Sequence, residues 1–149
     1  MKNENSLKNS FTPIANQETE ILILGSLPGE KSLELQQYYA HPRNRFWRVI
    51  AEISNSEIPE NYDEKLQLLR QNKIGVWDVV QTANRIGSLD TNILNEVPND
   101  LDSFIESHSK LKVIAFNGTT SRLLFDKYFV RKSNLKYLAL PSTSPANAS

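Results

Sequence analysis

The chain has 149 residues, a formal net charge of +0 and 39% hydrophobic residues, which suits one domain around one core. No apolar run approaches the roughly 20 residues of a membrane helix, and the absence of cysteine excludes disulfides, thiolate catalysis and cysteine zinc sites. With His41 and His108 as the only imidazoles, neither a metal site nor a cofactor is expected, and without a basic surplus any nucleic-acid surface must be a local patch.

Residues 1–18 are polar and lack the apolar centre of a signal peptide. They read as a flexible tail ahead of a single domain spanning 19–149, and a cytoplasmic location is the default. Residues 21–24 (Ile-Leu-Ile-Leu) form a short apolar run stopped at Gly25, the pattern of a strand buried on both faces. The stretch 25–43 reads as a long loop with a helical turn near 31–37, and long loops in compact domains often carry function. A helix is predicted over 44–53, with Phe46, Trp47, Ile50 and Ile53 at helical spacing and Asn44 at its start. A second amphipathic helix covers 62–72. Residues 74–80 read as a strand, 81–98 as an extended polar connection, and 99–108 as a helix capped by Asn99 or Asp100. A third strand at 113–116 stops at Asn117-Gly118, a helix follows over about 120–130, and a fourth strand at 137–140 ends at Pro141. Strands alternating with helices predict an α/β fold, a three-layer α/β/α sandwich on a four-stranded parallel sheet. Ligands of such sheets sit beyond the carboxyl ends of the strands, here the turns at 25–29, 117–118 and 141–145.

Three segments at those ends hold the candidate chemistry. Gly25-Ser26-Leu27-Pro28-Gly29 is a turn with exposed backbone N–H groups that lets a ligand approach closely. It lacks the endings of the Walker and dinucleotide glycine loops. Tyr38-Tyr39-Ala40-His41-Pro42-Arg43-Asn44-Arg45-Phe46-Trp47 puts aromatic faces that can stack a base beside arginines that can take phosphate. Pro141-Ser142-Thr143-Ser144-Pro145 is a stiff hydroxyl-rich loop suited to a phosphate backbone. Read singly, each has a plainer role: a turn, a helix cap with core aromatics, and a polar terminus.

Together the segments resemble the uracil-DNA glycosylase superfamily. The turn Gly25-Ser26-Leu27-Pro28-Gly29 followed by Ala40-His41-Pro42-Arg43-Asn44-Arg45-Phe46-Trp47 is similar to its first motif region. Leu140-Pro141-Ser142-Thr143-Ser144-Pro145-Ala146-Asn147 is similar to the second motif in the form typical of the deoxyinosine (hypoxanthine) branch. Gly87-Ser88-Leu89-Asp90 also suits that branch. Better-known branches place Asn or Asp in the first turn to position the attacking water; here Leu27 stands there, and the resemblance shifts that role to Asn44. Family members usually continue past the second motif into a further helix, so the domain is expected to lack a C-terminal helix.

The resemblance implies a monofunctional DNA glycosylase that flips a deaminated base from damaged DNA and hydrolyses its glycosidic bond. Asn44 is the expected catalytic residue. Gly25, Ser26, Leu27, Pro28, Tyr39, His41 and Asn117 are expected at the base, with Tyr39 stacking on it. Lys31, Arg43, Arg45, Ser142, Thr143, Ser144 and Pro145 are expected along the DNA strand. A monomer is expected. The alternatives are uracil or mismatch specificity in the same superfamily, a DNA-binding relative without catalysis, and an enzyme of free nucleosides. Asp78 stays open between a base, a supporting residue and a turn cap.

Overall fold

The computed structural model describes residues 7–145; residues 1–6, and the Ala146-Asn147 end of the second motif, lie outside the described residues. In chain order the elements are β1 (Leu7–Asn9), β2 (Ile21–Gly25), α1 (Glu30–Leu35), α2 (Phe46–Ile53), α3 (Tyr62–Gln71), β3 (Ile74–Asp78), β4 (Val80–Asn84), β5 (Leu94–Pro98), α4 (Leu101–Ser107), β6 (Val113–Asn117), α5 (Thr119–Tyr128) and β7 (Lys136–Leu140). The main sheet has the order β3-β2-β6-β7 with every pairing parallel.

Strand parity explains the three layers. On β2, Ile23 faces one side, where it joins Phe46, Trp47 and Ile50 of α2 and Leu68 and Leu69 of α3. Leu22 and Leu24 face the other side, against Leu101 and Phe104 of α4 and Phe125 of α5. β6 repeats the division, with Ala115 in the first cluster and Ile114 and Phe116 in the second. Side chains on a strand alternate between faces, so a continuous apolar run is what a strand needs when both faces carry helices.

The sheet order fixes the site. From β2 the chain moves to β3 on one side, then returns to β6 on the other. The strand ends of β2, β3 and β6 therefore surround the switch point, where open parallel sheets hold their ligands. The residues at those ends are Gly25, Asp78 and Asn117.

Two expectations are corrected. Residues 7–18 are tied down where a loose tail was expected: β1 pairs with β4, and Ile14 exchanges two backbone hydrogen bonds of 2.9 Å with Val76. Aromatic donors hold the segment too. Trp77 Nε1 donates to the Phe11 carbonyl at 2.9 Å and the Tyr38 hydroxyl to that of Thr12 at 3.2 Å. The predicted strand over 74–80 is two strands, and the polar stretch behind it is not a plain connection. β4 and β5 pair with β1 in a separate antiparallel sheet. Half of their residues are polar, and only Val80 and Ala83 are buried, so no apolar run announces them.

Candidate active site

A cavity of about 660 Å³ opens at the switch point, within the range of ligand pockets. Gly25, Ser26, Leu27, Pro28, Lys31, Tyr39, His41, Asn44, Asn117, Ser142, Thr143, Ser144 and Pro145 all line it, together with Asp78, Leu89 and Asp90. Arg43 and Arg45 do not line it; both are exposed beside it.

The first turn is shaped from behind. Gly25 and Ser26 carbonyls accept from the Val79 and Val80 N–H groups at 2.9 and 3.0 Å. Ser26 Oγ donates to Asp90 Oδ1 at 2.6 Å. The Leu27 side chain turns away into a small cluster with Val80 and Ala83, so this residue offers the pocket its backbone. Arg85 is fully buried, and its guanidinium donates to the carbonyls of Leu27, Pro28 and Gly87. No sequence signal marked Arg85, because arginine ordinarily reads as surface.

The second segment brings three candidates to the cavity in fixed poses. Asn44 Oδ1 accepts from the Phe46 N–H at 2.9 Å. Asn44 was expected to cap the helix, but the N-cap is Arg45; the Asn44 bond closes a local Asx turn one residue earlier, and it orients the amide: Oδ1 keeps a second lone pair, and Nδ2 remains a donor. His41 Nδ1 accepts from the Arg43 N–H at 3.0 Å, which leaves the proton of a neutral ring on Nε2. The Tyr39 ring stacks on Phe46 with centroids 3.9 Å apart and 19° between planes. Its backbone has φ 53°, a conformation uncommon outside glycine that costs about 1–3 kcal/mol and must be held by its surroundings.

The third segment is clamped to the other two. Asn117 Nδ2 donates to Thr143 Oγ1 at 3.0 Å, and the Thr143 N–H donates back to Asn117 Oδ1 at 2.9 Å. The Asn117 amide, expected against a base, thus holds the loop. The Arg45 N–H donates to the Thr143 carbonyl at 3.0 Å, and Arg45 Nη2 to the Ser142 carbonyl at 3.2 Å. Gly118 has φ 102°, and a Cβ there would come 3.1 Å from Ser142 Cβ, so glycine is needed for both the turn and the close approach.

Asp78 closes the bottom of the cavity. It is 4% exposed. Burial pushes its carboxyl up to about 8, the negative charge of Asp90 adds to that, and Arg85 opposes it. Asp90 is raised as well, chiefly by burial, against the hydrogen bond from Ser26 and the charge of Arg85. The Tyr39 hydroxyl is raised by burial and then by Asp78, with Asn117 opposing. The signal for Asp78 in the sequence was a carboxylate inside an otherwise apolar run, which periodicity alone does not interpret.

Comparison with known proteins places this geometry. Residues 12–149 match the model of the uracil DNA glycosylase superfamily. A hypoxanthine DNA glycosylase of Methanosarcina barkeri is 43% identical over 115 residues, covering 76% of this chain and 73% of that protein. A hypoxanthine DNA glycosylase of Methanosarcina acetivorans is 38% identical over 144 residues, covering 95% of this chain and 89% of that protein. The solution NMR structure of a candidate uracil DNA glycosylase from Methanosarcina acetivorans superposes with a TM-score of 0.81 at 37% identity, covering 95% of this chain and 88% of that chain.

Proposed function

The chain belongs to the uracil DNA glycosylase superfamily, and on that premise we propose that it is a monofunctional DNA N-glycosylase that removes a deaminated base, hypoxanthine first, and leaves an abasic site. The observation that carries the reading is the convergence of an oriented amide, an aromatic ring and a hydroxyl-rich loop on one cavity at the strand ends.

The reacting bond lies inside a duplex, so the nucleotide must first be extruded into the cavity. The flipped base stacks on Tyr39, whose ring is backed by Phe46. Cleavage builds positive charge on the sugar and negative charge on the departing base. Fixed dipoles and positioning then supply most of the rate. Asn44, held by Phe46 N–H, orients the water at the anomeric carbon through its remaining lone pair and its N–H₂ group. His41 lines the cavity, and its Nε2 donates to the departing purine. Ser142, Thr143 and Ser144 meet the phosphates flanking the lesion, with Lys31 and Arg43 adding charge. No lysine of these motifs is needed as a nucleophile, so strand cleavage by a lyase step is not expected.

Damaged DNA is the partner, and the protein acts as a monomer in the cytoplasm; among the described residues no helix is long and apolar enough to cross a membrane. The designation of the solved relative as a candidate uracil DNA glycosylase favours uracil as the second substrate to test. The decisive measurement is base release from labelled oligonucleotides carrying one hypoxanthine or one uracil, in parallel with Asn44→Ala. Hypoxanthine release that vanishes in the variant supports the assignment. Release of uracil alone would overturn the branch, and release of neither would overturn the activity.

A further inference from the structure

At the bottom of the cavity two buried polar heads, Asp78 Oδ2 and the Tyr39 hydroxyl, meet no hydrogen-bond partner in good geometry among the described residues; the Asn117 amide lies close enough to the hydroxyl to be felt electrostatically. The Asp78 carboxyl, through its other oxygen Oδ1, and the Tyr39 hydroxyl gather against the bare Cα of Gly25. A Cβ on that glycine would lie 2.7 Å from Asp78 Oδ1 and 3.3 Å from the Tyr39 hydroxyl, so glycine keeps this space open. Gly25 and Asp78 are register partners at the ends of β2 and β3. The main chain at Asp78 is fixed, because its carbonyl accepts from Asn99 Nδ2 at 2.8 Å and the next N–H donates to Gly25. A rigid, buried, unsatisfied acid aimed into a ligand cavity is rare in native proteins, and an incoming ligand group accounts for it.

We propose that Asp78 reads the extruded base, its carboxyl group in the acid form donating to a ring carbonyl and accepting from the adjacent ring N–H. This deepens the glycosylase reading and rests on it. Deamination replaces an amine and a bare ring nitrogen by a carbonyl beside an N–H. Hypoxanthine and uracil share that lactam edge. A carboxylic acid offers one donor and one acceptor side by side and meets it with two parallel hydrogen bonds. A carboxylate offers acceptors only and would face the carbonyl oxygen lone pairs. The Tyr39 hydroxyl, beside the acid, supplies a third polar contact.

The surroundings keep the acid form at neutral pH. The groups facing Asp78 are the hydroxyls of Tyr38 and Tyr39, the carboxylate of Asp90 and the guanidinium of Arg85. The tyrosines stay protonated because burial raises both. Asp90 and burial outweigh Arg85, and Asp78 loses its proton at about pH 8.

The test compares the parent with Asp78→Asn and Asp78→Ala in single-turnover release of hypoxanthine from about pH 6 to about pH 10, with circular dichroism to establish that each variant is folded. The asparagine amide presents the same donor and acceptor but does not titrate. The expected result is a loss of about 10- to 100-fold in Asp78→Ala, most of it recovered in Asp78→Asn. The parent falls above about pH 8 beyond the fall seen in Asp78→Asn, whose profile carries only the ionisation of the base. A folded Asp78→Ala with parental rates, an Asp78→Asn no better than Asp78→Ala, or identical alkaline limbs in parent and Asp78→Asn would each overturn the proposal. Equilibrium binding to duplexes carrying hypoxanthine or unsubstituted purine, which lacks both the carbonyl and the N–H, separates this inference from the activity. If the parent released no base, the glycosylase reading would fall. Asp78 would still stand as the reader if Asp78→Ala lost the binding preference for hypoxanthine, and would fall if it kept it.

Discussion

The rim and the floor of one cavity follow opposite rules. At the rim, Asn44 is bonded to Phe46, Asn117 and Thr143 hold each other twice, and Arg45 ties its own loop to the 142–143 backbone. At the floor, Asp78 Oδ2 and the Tyr39 hydroxyl are buried and have no hydrogen-bond partner among the described residues. Satisfied networks rigidify a structure, while unsatisfied buried groups weaken it. The difference separates a frame built to hold its shape from a surface built to be completed by a ligand.

The sharpest way to break that contrast is to remove the one rim group assigned to chemistry. Asn44→Ala should lower hypoxanthine release by about 100-fold or more, while losing only the stability of one local hydrogen bond, about 1 kcal/mol; single-turnover rates and a melting curve separate the two. Next, Gly25→Ala forces a methyl group to within 2.7 Å of Asp78 Oδ1 and so fills the floor. We expect roughly a tenfold or greater fall in release with the fold retained, read by the same assay. Asn117→Ala attacks the frame. It strands two Thr143 groups, should cost about 1–3 kcal/mol in denaturant unfolding, and should weaken DNA binding severalfold.

A smaller effect sharpens the comparison through pH. Folded, Asp78 keeps its proton to about pH 8; unfolded, it loses it near 3.8. Between those values the folded chain holds the extra proton, so this group's contribution to stability is greatest in acid and declines as pH rises toward 8. Asp78→Asn has no such decline. Its melting temperature should gain on the parent by about a few degrees from pH 5 to pH 8, measured by calorimetry at both. The smallest effect belongs outside the cavity: Arg43→Ala should leave base preference intact and reduce the salt dependence of DNA binding by about one unit of slope.

What was legible in the sequence follows the same divide between regular and exceptional environments. The four strands of the main sheet announced themselves as apolar runs ended by Gly25, Asn117-Gly118 and Pro141. The loops at three of their ends were found for the same reason. The strand that ends at Asp78 was expected to run on to Val80, because the apolar run continues through Val79 and Val80 and nothing local says that the chain leaves one sheet for another there. The small sheet of β1, β4 and β5 was hidden because its strands bury little. The roles of Asn117 and Arg85 could not be read at all. Each depends on a partner distant in sequence, 26 residues for Thr143 and 57 for Pro28, and an amide or a guanidinium is compatible with many.

Arg85 grips main-chain carbonyls, and a carbonyl is present whatever side chain hangs from it. The shape of the Leu27–Pro28 turn is thus held independently of the Leu27 side chain, which packs in a small cluster with Val80 and Ala83, flanked by Ile93 and Leu124. A lineage, or an engineer, can exchange residues along that turn while the backbone that lines the cavity stays where it is. The arginine works as a fixed chassis under replaceable parts, which is how one scaffold can be tuned to several kinds of damage.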